Sequence, residues 1–400
     1  MLEFCKNRLN SMVVRTAIKS MTSRERVLKT LDHSEPDKTP YDLSGTTVTA
    51  ITKTAFINAM KLRNLSCDFI MHDDIQQVVI PSKQVLDYLG VDTVRLGPPR
   101  VYNIEKKTTK EDKIISYRDE WGITWSMNTE SDFYFNENTA YPLQNAKTIE
   151  DLRSYAFPDP DKIIDYKMLK KELSAIPDDK ALIVDRNCAG LFEMAFRIRG
   201  YENFYMDLAT SRKMAEYLID KILEVKMRYW DRVLSFAGER ADIIAECDDL
   251  GTQQSLLVSP DMYREILKPR QKKLLSFIKL KAPQAKIFFH SCGAISEIIP
   301  DLIEVGVDIL NPVQTNACGM NAEKLKKEFA KDICFWGGGV NTQETLPHGT
   351  PQQVRDDVRK SVDTLAKDGG YVFSAIHNIQ ADVPAENFWA MWEEFQKIRG

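Results

Sequence analysis

Two ligand-type side chains stand two residues apart where an apolar run ends. His290 and Cys292 close Lys286-Ile-Phe-Phe-His-Ser-Cys, and Gly293 follows directly. An imidazole and a thiolate both suit a borderline-soft divalent cation such as zinc. Residues i and i+2 of an extended strand point to the same side, so this pair can share one ion. A third donor, His377, closes the later run Tyr-Val-Phe-Ser-Ala-Ile-His. Three protein ligands with an open coordination position describe a catalytic zinc rather than a structural one. Taken singly, each residue has a plainer reading as a core imidazole, a small apolar thiol or a loop histidine.

Acids cluster at the end of another apolar run, in Glu246-Cys247-Asp248-Asp249-Leu250-Gly251. Buried carboxylates are costly unless they hold a cation, a proton or a cationic partner. Glu246 reads as a general acid or a further ligand, with Asp248 as its catalytic neighbour. For Asp248 and Asp249 the alternative is capping a turn or the helix near Pro260. Cys247, adjacent to Glu246, should face the opposite way. Asp185 in Asp185-Arg186-Asn187-Cys188, and Asn311 with Gln314, end two more runs and read as substrate contacts, against a loop salt bridge and a turn.

Trp336 opens Trp336-Gly337-Gly338-Gly339-Val340-Asn341, whose glycines would let a ligand approach the backbone; Trp336, Trp121 and Trp125 could wall an aromatic substrate. Neither the P-loop nor the G-x-G-x-x-G spacing of nucleotide sites is present. His33 and His348 lie in polar connections and read as surface residues, while His72, in Met-His-Asp-Asp, is a weaker candidate for the site. With G-x-S-x-G absent and no Ser-His-Asp set visible, acyl transfer is disfavoured.

The elements that position these residues repeat. Short β-rich runs alternate with helical stretches near Leu182, Ile244, Phe289, Ile309, Phe335 and Val372. Two upstream runs, near Tyr41 and Val94, bring the strand count to eight. Eight βα units predict an α/β fold, a (β/α)8 TIM barrel, with the candidate residues at strand C-termini where barrel active sites are built. Residues from about 100 to 158 break the alternation, and Lys113 to Met127 reads as a hairpin turning at Glu120-Trp121-Gly122. This segment is expected to be an insertion near the barrel mouth. Residues 1–20 read as a flexible N-terminal extension and 21–400 as one domain, because a capped helix begins after Met21.

Composition narrows the function classes. The chain has 54 basic and 58 acidic residues, a net charge of −4, and no long block of either sign. Neither nucleic acid nor an anionic membrane is an expected partner, and a homo-oligomer is allowed. Seven cysteines without C-x-x-C pairs fit a reducing cytoplasm better than a disulfide scaffold. No stretch approaches a membrane span, and the first twenty residues lack a signal-peptide pattern.

Several segments together resemble the uroporphyrinogen decarboxylase superfamily, in particular its zinc-dependent, corrinoid-linked methyltransferases. They are Arg24 to Asp42, Ser259 to Leu275, Phe288-Phe-His-Ser-Cys-Gly293, Gly306 to Gln314, Trp336 to Val354, and Gly369 to Met391. The resemblance implies a His-x-Cys pair at His290 and Cys292, with His377 where those methyltransferases carry a second Cys. It also implies methyl transfer to or from the cobalt of a corrinoid (cobalamin) on a separate protein. The substituted third ligand and the long insertion favour O-demethylation of a methoxy compound; transfer to a thiol, or a metal-free decarboxylase-like reaction, is the alternative. The superfamily's decarboxylases carry an Arg-rich segment after the first strand, where this chain has Tyr41-Asp42-Leu43-Ser44-Gly45-Thr46, so tetrapyrrole decarboxylation is disfavoured.

Overall fold

The computed structural model describes residues 20–97, 109–111, 113–128, 130 and 136–400. The extension expected over residues 1–20 falls almost wholly outside them. The first described helix, Ser23–Leu31, starts with a capping box in which Thr22 and Glu25 satisfy each other's backbone N–H groups.

Seven parallel strands pair in chain order, from Thr93–Leu96 through Ala181–Val184, Ile243–Cys247, Lys286–His290, Ile309–Asn311 and Cys334–Trp336 to Tyr371–Val372. The eighth stave is the short segment around Tyr41, reduced to a parallel bridge with Phe373. Its backbone joins both edges: Phe373 N–H donates to Pro40 O at 2.9 Å, and Asp92 N–H donates to Tyr41 O at 2.8 Å. The expected eight-stave barrel is therefore closed.

Alternation along these strands sorts the side chains. Ala181, Ile183, Ile243, Ala245, Phe288, Ile309, Cys334, Trp336 and Val372 form the barrel interior, with Val27 and Leu31 of the first helix packed among them. The intervening residues, such as Leu182, Ile244, Ile287 and Leu310, join the larger cluster under the outer helices. Extending the inward parity to the strand ends selects Arg95, Asp185, Cys247, His290 and Asn311.

Two antiparallel sheets decorate the mouth. One is the anticipated insertion, four strands including the hairpin Ile114–Arg118 and Thr124–Asn128, with Gly122 at φ 70° in the turn. The other, which the sequence reading missed, pairs Ile51–Thr52, Val78–Pro81 and Phe69–Asp73. No helix among the described residues is long and apolar enough to cross a membrane.

Candidate metal centre and cavity

The barrel register sets His290 level with Cys247 on one side and Asn311 on the other. One donor atom each from His290, Cys292 and His377 lies within 4.8 Å of the others. The Cys292 sulfur is 3.3 Å from His290 Nε2, and the two imidazole rings sit 5.3 Å apart. Just past Cys292, Gly293 has φ +89°, and a Cβ there would come within 2.5 Å of the Gly251 backbone, so this turn admits only glycine.

Neighbours fix how the two imidazoles present themselves. Asn311 donates its amide N–H to Trp336 O at 2.8 Å, which leaves its Oδ1 to accept from His290 Nδ1–H. That tautomer points the bare Nε2 at Cys292. His377 Nδ1 is likewise held by Asn378 Oδ1 at 2.9 Å. Burial, reinforced by the neighbouring His377, pushes His290 down to about 3, and burial lowers His377 too, so both are neutral ligand-type imidazoles at pH 7. Burial and the adjacent Asp249 carboxylate raise the Cys292 thiol. Asp249 Oδ1 accepts the Cys292 N–H at 2.9 Å and lies 3.6 Å from His290 Nε2, placing negative charge beside the group. Two neutral nitrogens, one sulfur and a nearby carboxylate suit a zinc-like cation.

The group stands between two cavities. A space of about 1050 Å³ is lined by His290 and His377 with Arg95, Asp185, Arg186 and Asp249, and by apolar side chains including Leu43, Val94 and Ile176. A second of about 350 Å³ reaches Cys292 and His377 from the side of Gln253, Gln314 and Asn378.

The other expected residues divide. Asp185 lines the large cavity, its Oδ2 accepting from Arg95 Nε at 3.0 Å. Gln314 lines the small one, accepting the Gly293 N–H at 2.8 Å. Asn311 is fully buried and acts on His290 rather than facing either space. Trp336 is fully buried in the barrel interior, edge-on to Phe288, with its indole N–H on Asp42 at 3.0 Å. It does not line the cavity, and neither do Trp121 and Trp125; their hairpin contributes Tyr117, Asp119 and Glu120 instead. The glycines after Trp336 pack on neighbouring strand ends, where a Cβ on Gly337 would lie 2.2 Å from Pro312 O.

The acids at 246 and 248 need correction, because neither lines either cavity. Glu246 has outward parity and is buried against the helix Arg212–Ala237. There Lys226 Nζ approaches Oε2 at 2.9 Å and the Trp230 indole donates to Oε1 at 2.5 Å. Asp248 accepts the N–H groups of Phe192 and Glu193, both at 3.0 Å, and so caps the helix Leu191–Arg199. The helix near Pro260 is capped by Ser259. Cys247, with inward parity, and Asp249, just past the strand end, are the members of that run that reach the large cavity. Arg95 was missed, although the alternation in Val91-Asp-Thr-Val-Arg-Leu already made it a charged residue on the inward face.

Residues 107–398 match the family described as uroporphyrinogen decarboxylase (URO-D). The chain belongs to this family. A uroporphyrinogen decarboxylase from Prochlorococcus marinus (strain MIT 9301) is 23% identical over 141 residues, 35% of this chain and 38% of that protein. The match thus spans well under two thirds of the curated relative. Among solved structures, a methyltransferase from Methanosarcina mazei superposes with a TM-score of 0.64 at 17% identity, covering 95% of this chain and 100% of that one. Similarity at that identity establishes a shared URO-D-type barrel.

One expected result follows from the orientation of His290. Asn311→Leu removes the acceptor for Nδ1–H without touching a ligand atom, and loss of such an outer partner costs about 10- to 100-fold in metal affinity. Zinc competition titration against a fluorescent chelator measures it; unchanged affinity would separate the Asn311 contact from ligand orientation.

Proposed function

We propose that the protein is a zinc-dependent methyltransferase moving a methyl group between a small methoxy compound and the cobalt of a corrinoid carried by a partner protein. The observation that supports it is the convergence of His290, Cys292 and His377 at the C-terminal mouth of the barrel. The barrel shared with the Methanosarcina mazei methyltransferase adds to the reading. Zinc, when bound, supplies Lewis acidity at a coordination position the protein leaves open.

The chain's own residues do the rest. Asn311 and Asn378 hold the imidazoles in their ligating tautomer, and Asp249 fixes the Cys292 backbone and adds negative charge. The cavity of about 1050 Å³ exceeds the roughly 300–1000 Å³ usual for a small ligand, leaving room for a methyl donor together with the face of a larger group. The composition and soluble-type elements fit a cytoplasmic enzyme.

A second reading, metal-free decarboxylation of an anionic substrate, draws on the curated relative's activity and on Arg95, Arg186 and Arg197 in the cavity wall. All three arginines are already engaged, Arg95 and Arg186 by Asp185 and Arg197 by Glu193. Metal analysis of the purified protein and the cobalt absorbance on mixing with reduced corrinoid protein and candidate methyl donors decide between the readings. Stoichiometric zinc and a donor-dependent conversion of the cobalt spectrum are expected. A zinc-free protein with full activity establishes the second reading.

A further inference from the structure

The small sheet that the sequence reading missed carries an unusual histidine. Strand Phe69–Asp73 pairs with Val78–Pro81, but the register jumps from Met71↔Val79 to Asp73↔Val78, leaving His72 without an opposite residue. A β-bulge of this kind re-aims a side chain. The flanking Ile70 and Met71 are 66% and 39% exposed, whereas the His72 side chain is 0% exposed and lines the large cavity.

Neither ring nitrogen of His72 has a hydrogen-bond partner among the described residues. Buried polar groups are normally paired, so an imidazole sealed on a cavity wall with both nitrogens free is itself a sign of a ligand contact. Burial, with the neighbouring Arg95 cation, pushes His72 down to about 4, so at neutral pH it offers one N–H and one lone pair.

Its neighbour narrows the ligand. His72 Nε2 stands 3.6 Å from Asp185 Oδ2, too far for a direct hydrogen bond. One oxygen atom can sit about 2.8 Å from both. Burial works against the charge on Asp185, but the Arg95 and Arg186 cations, with His72 nearby, outweigh it and keep the carboxylate ionised, so it only accepts. The bridging oxygen must therefore donate to Asp185 while accepting from imidazole. A hydroxyl does both, an ether only accepts, and a carboxylate would meet the like charge of Asp185.

We propose that His72 and Asp185 form a hydroxyl-recognition subsite, and that the methoxy compound used here carries a free hydroxyl group. The inference rests on the methyl-transfer reading for the ether half of the substrate; the subsite itself does not depend on zinc. Calorimetric titration of the protein as purified tests it, with methoxybenzene against the 2-, 3- and 4-methoxyphenols for a phenolic source, and methoxyethane against 2-methoxyethanol for an aliphatic one. At least one hydroxyl probe is expected to bind roughly tenfold more tightly than its matched ether, the scale of a hydrogen bond to a charged group.

His72→Leu should erase that preference while leaving zinc content and binding of the plain ether unchanged, and His72→Gln, which keeps an N–H donor, should restore part of it. Equal affinity of every matched pair in the unmodified protein overturns the proposal whatever the variants do, because solvent would then be the bridging oxygen. So does a preference that survives in His72→Leu, or failure of every hydroxyl probe to bind. Failure of the methyl-transfer reading would show separately, in metal content and cobalt spectrum.

Discussion

Cys292→Ala should give a folded protein whose zinc affinity is lower by more than about 100-fold, since loss of a mere outer partner already costs 10- to 100-fold. Its methyl-transfer activity should fall with the metal. The sulfur supplies the only formal negative charge among the three donors, and without it two neutral imidazoles remain to hold the ion. The fold has little reason to fail, because the Cys292 backbone N–H is held by Asp249 and the turn is set by Gly293. Cys247→Ala is the matched control: that thiol faces the same cavity but lies outside the three-residue group, so its loss should leave zinc in place. Metal analysis after gel filtration, with circular dichroism to confirm folding, reads both. Stripping zinc from the unmodified protein with a chelator should reproduce the Cys292→Ala phenotype, and re-addition should rescue only the unmodified protein. Retention of stoichiometric zinc by Cys292→Ala would remove the basis for the metal centre.

Much of this architecture was legible because parallel barrel strands carry their own signal. Ile287-Phe-Phe and Ala181-Leu-Ile-Val are apolar on both faces, as a strand covered by helices outside and packed side chains inside must be. The sheet holding His72 was not legible, since its turn contains no glycine or proline. It is made instead by Asp73 accepting the Gln76 N–H at 2.7 Å and by Gln77 adopting φ 52°. Asp73 and Asp74 are turn-forming residue types, but with no glycine or proline beside them they were too weak a signal to break the segment there.

Within the site, spacing conveyed which residues share a face but not which face is the inner one. His290 and Cys292 were paired correctly in space because two residues apart is one full strand period. Glu246 and Cys247 were likewise known to point apart, yet the direction depends on Lys226, whose ammonium waits in the outer helix. A buried acid attracts a catalytic reading from sequence alone; the cation that neutralises it comes from a different element. Trp336 misled for a related reason, because a bulky residue at a strand end can fill the barrel interior as readily as wall a cavity.

The Glu246–Lys226 pair yields the second large effect, on stability. Both side chains are at most 1% exposed, so Glu246→Ala strands an ammonium in the protein interior, a change that typically costs about 3–5 kcal/mol. The Trp230 indole N–H loses its acceptor in the same step. Chemical denaturation should show the midpoint falling sharply with the slope unchanged, and poor accumulation of folded protein would be the same effect carried further. A catalytic Glu246 predicts something different, namely normal stability with activity lost. The double variant Glu246→Leu with Lys226→Met separates these cases, since an apolar pair of similar volume can replace a buried ion pair at little cost. Expected is recovery of most of the stability together with zinc binding and methyl transfer, because neither side chain reaches the cavity. A stable, zinc-loaded double variant that cannot transfer a methyl group would return Glu246 to the chemistry and require the barrel wall to open between Cys247 and the outer helix.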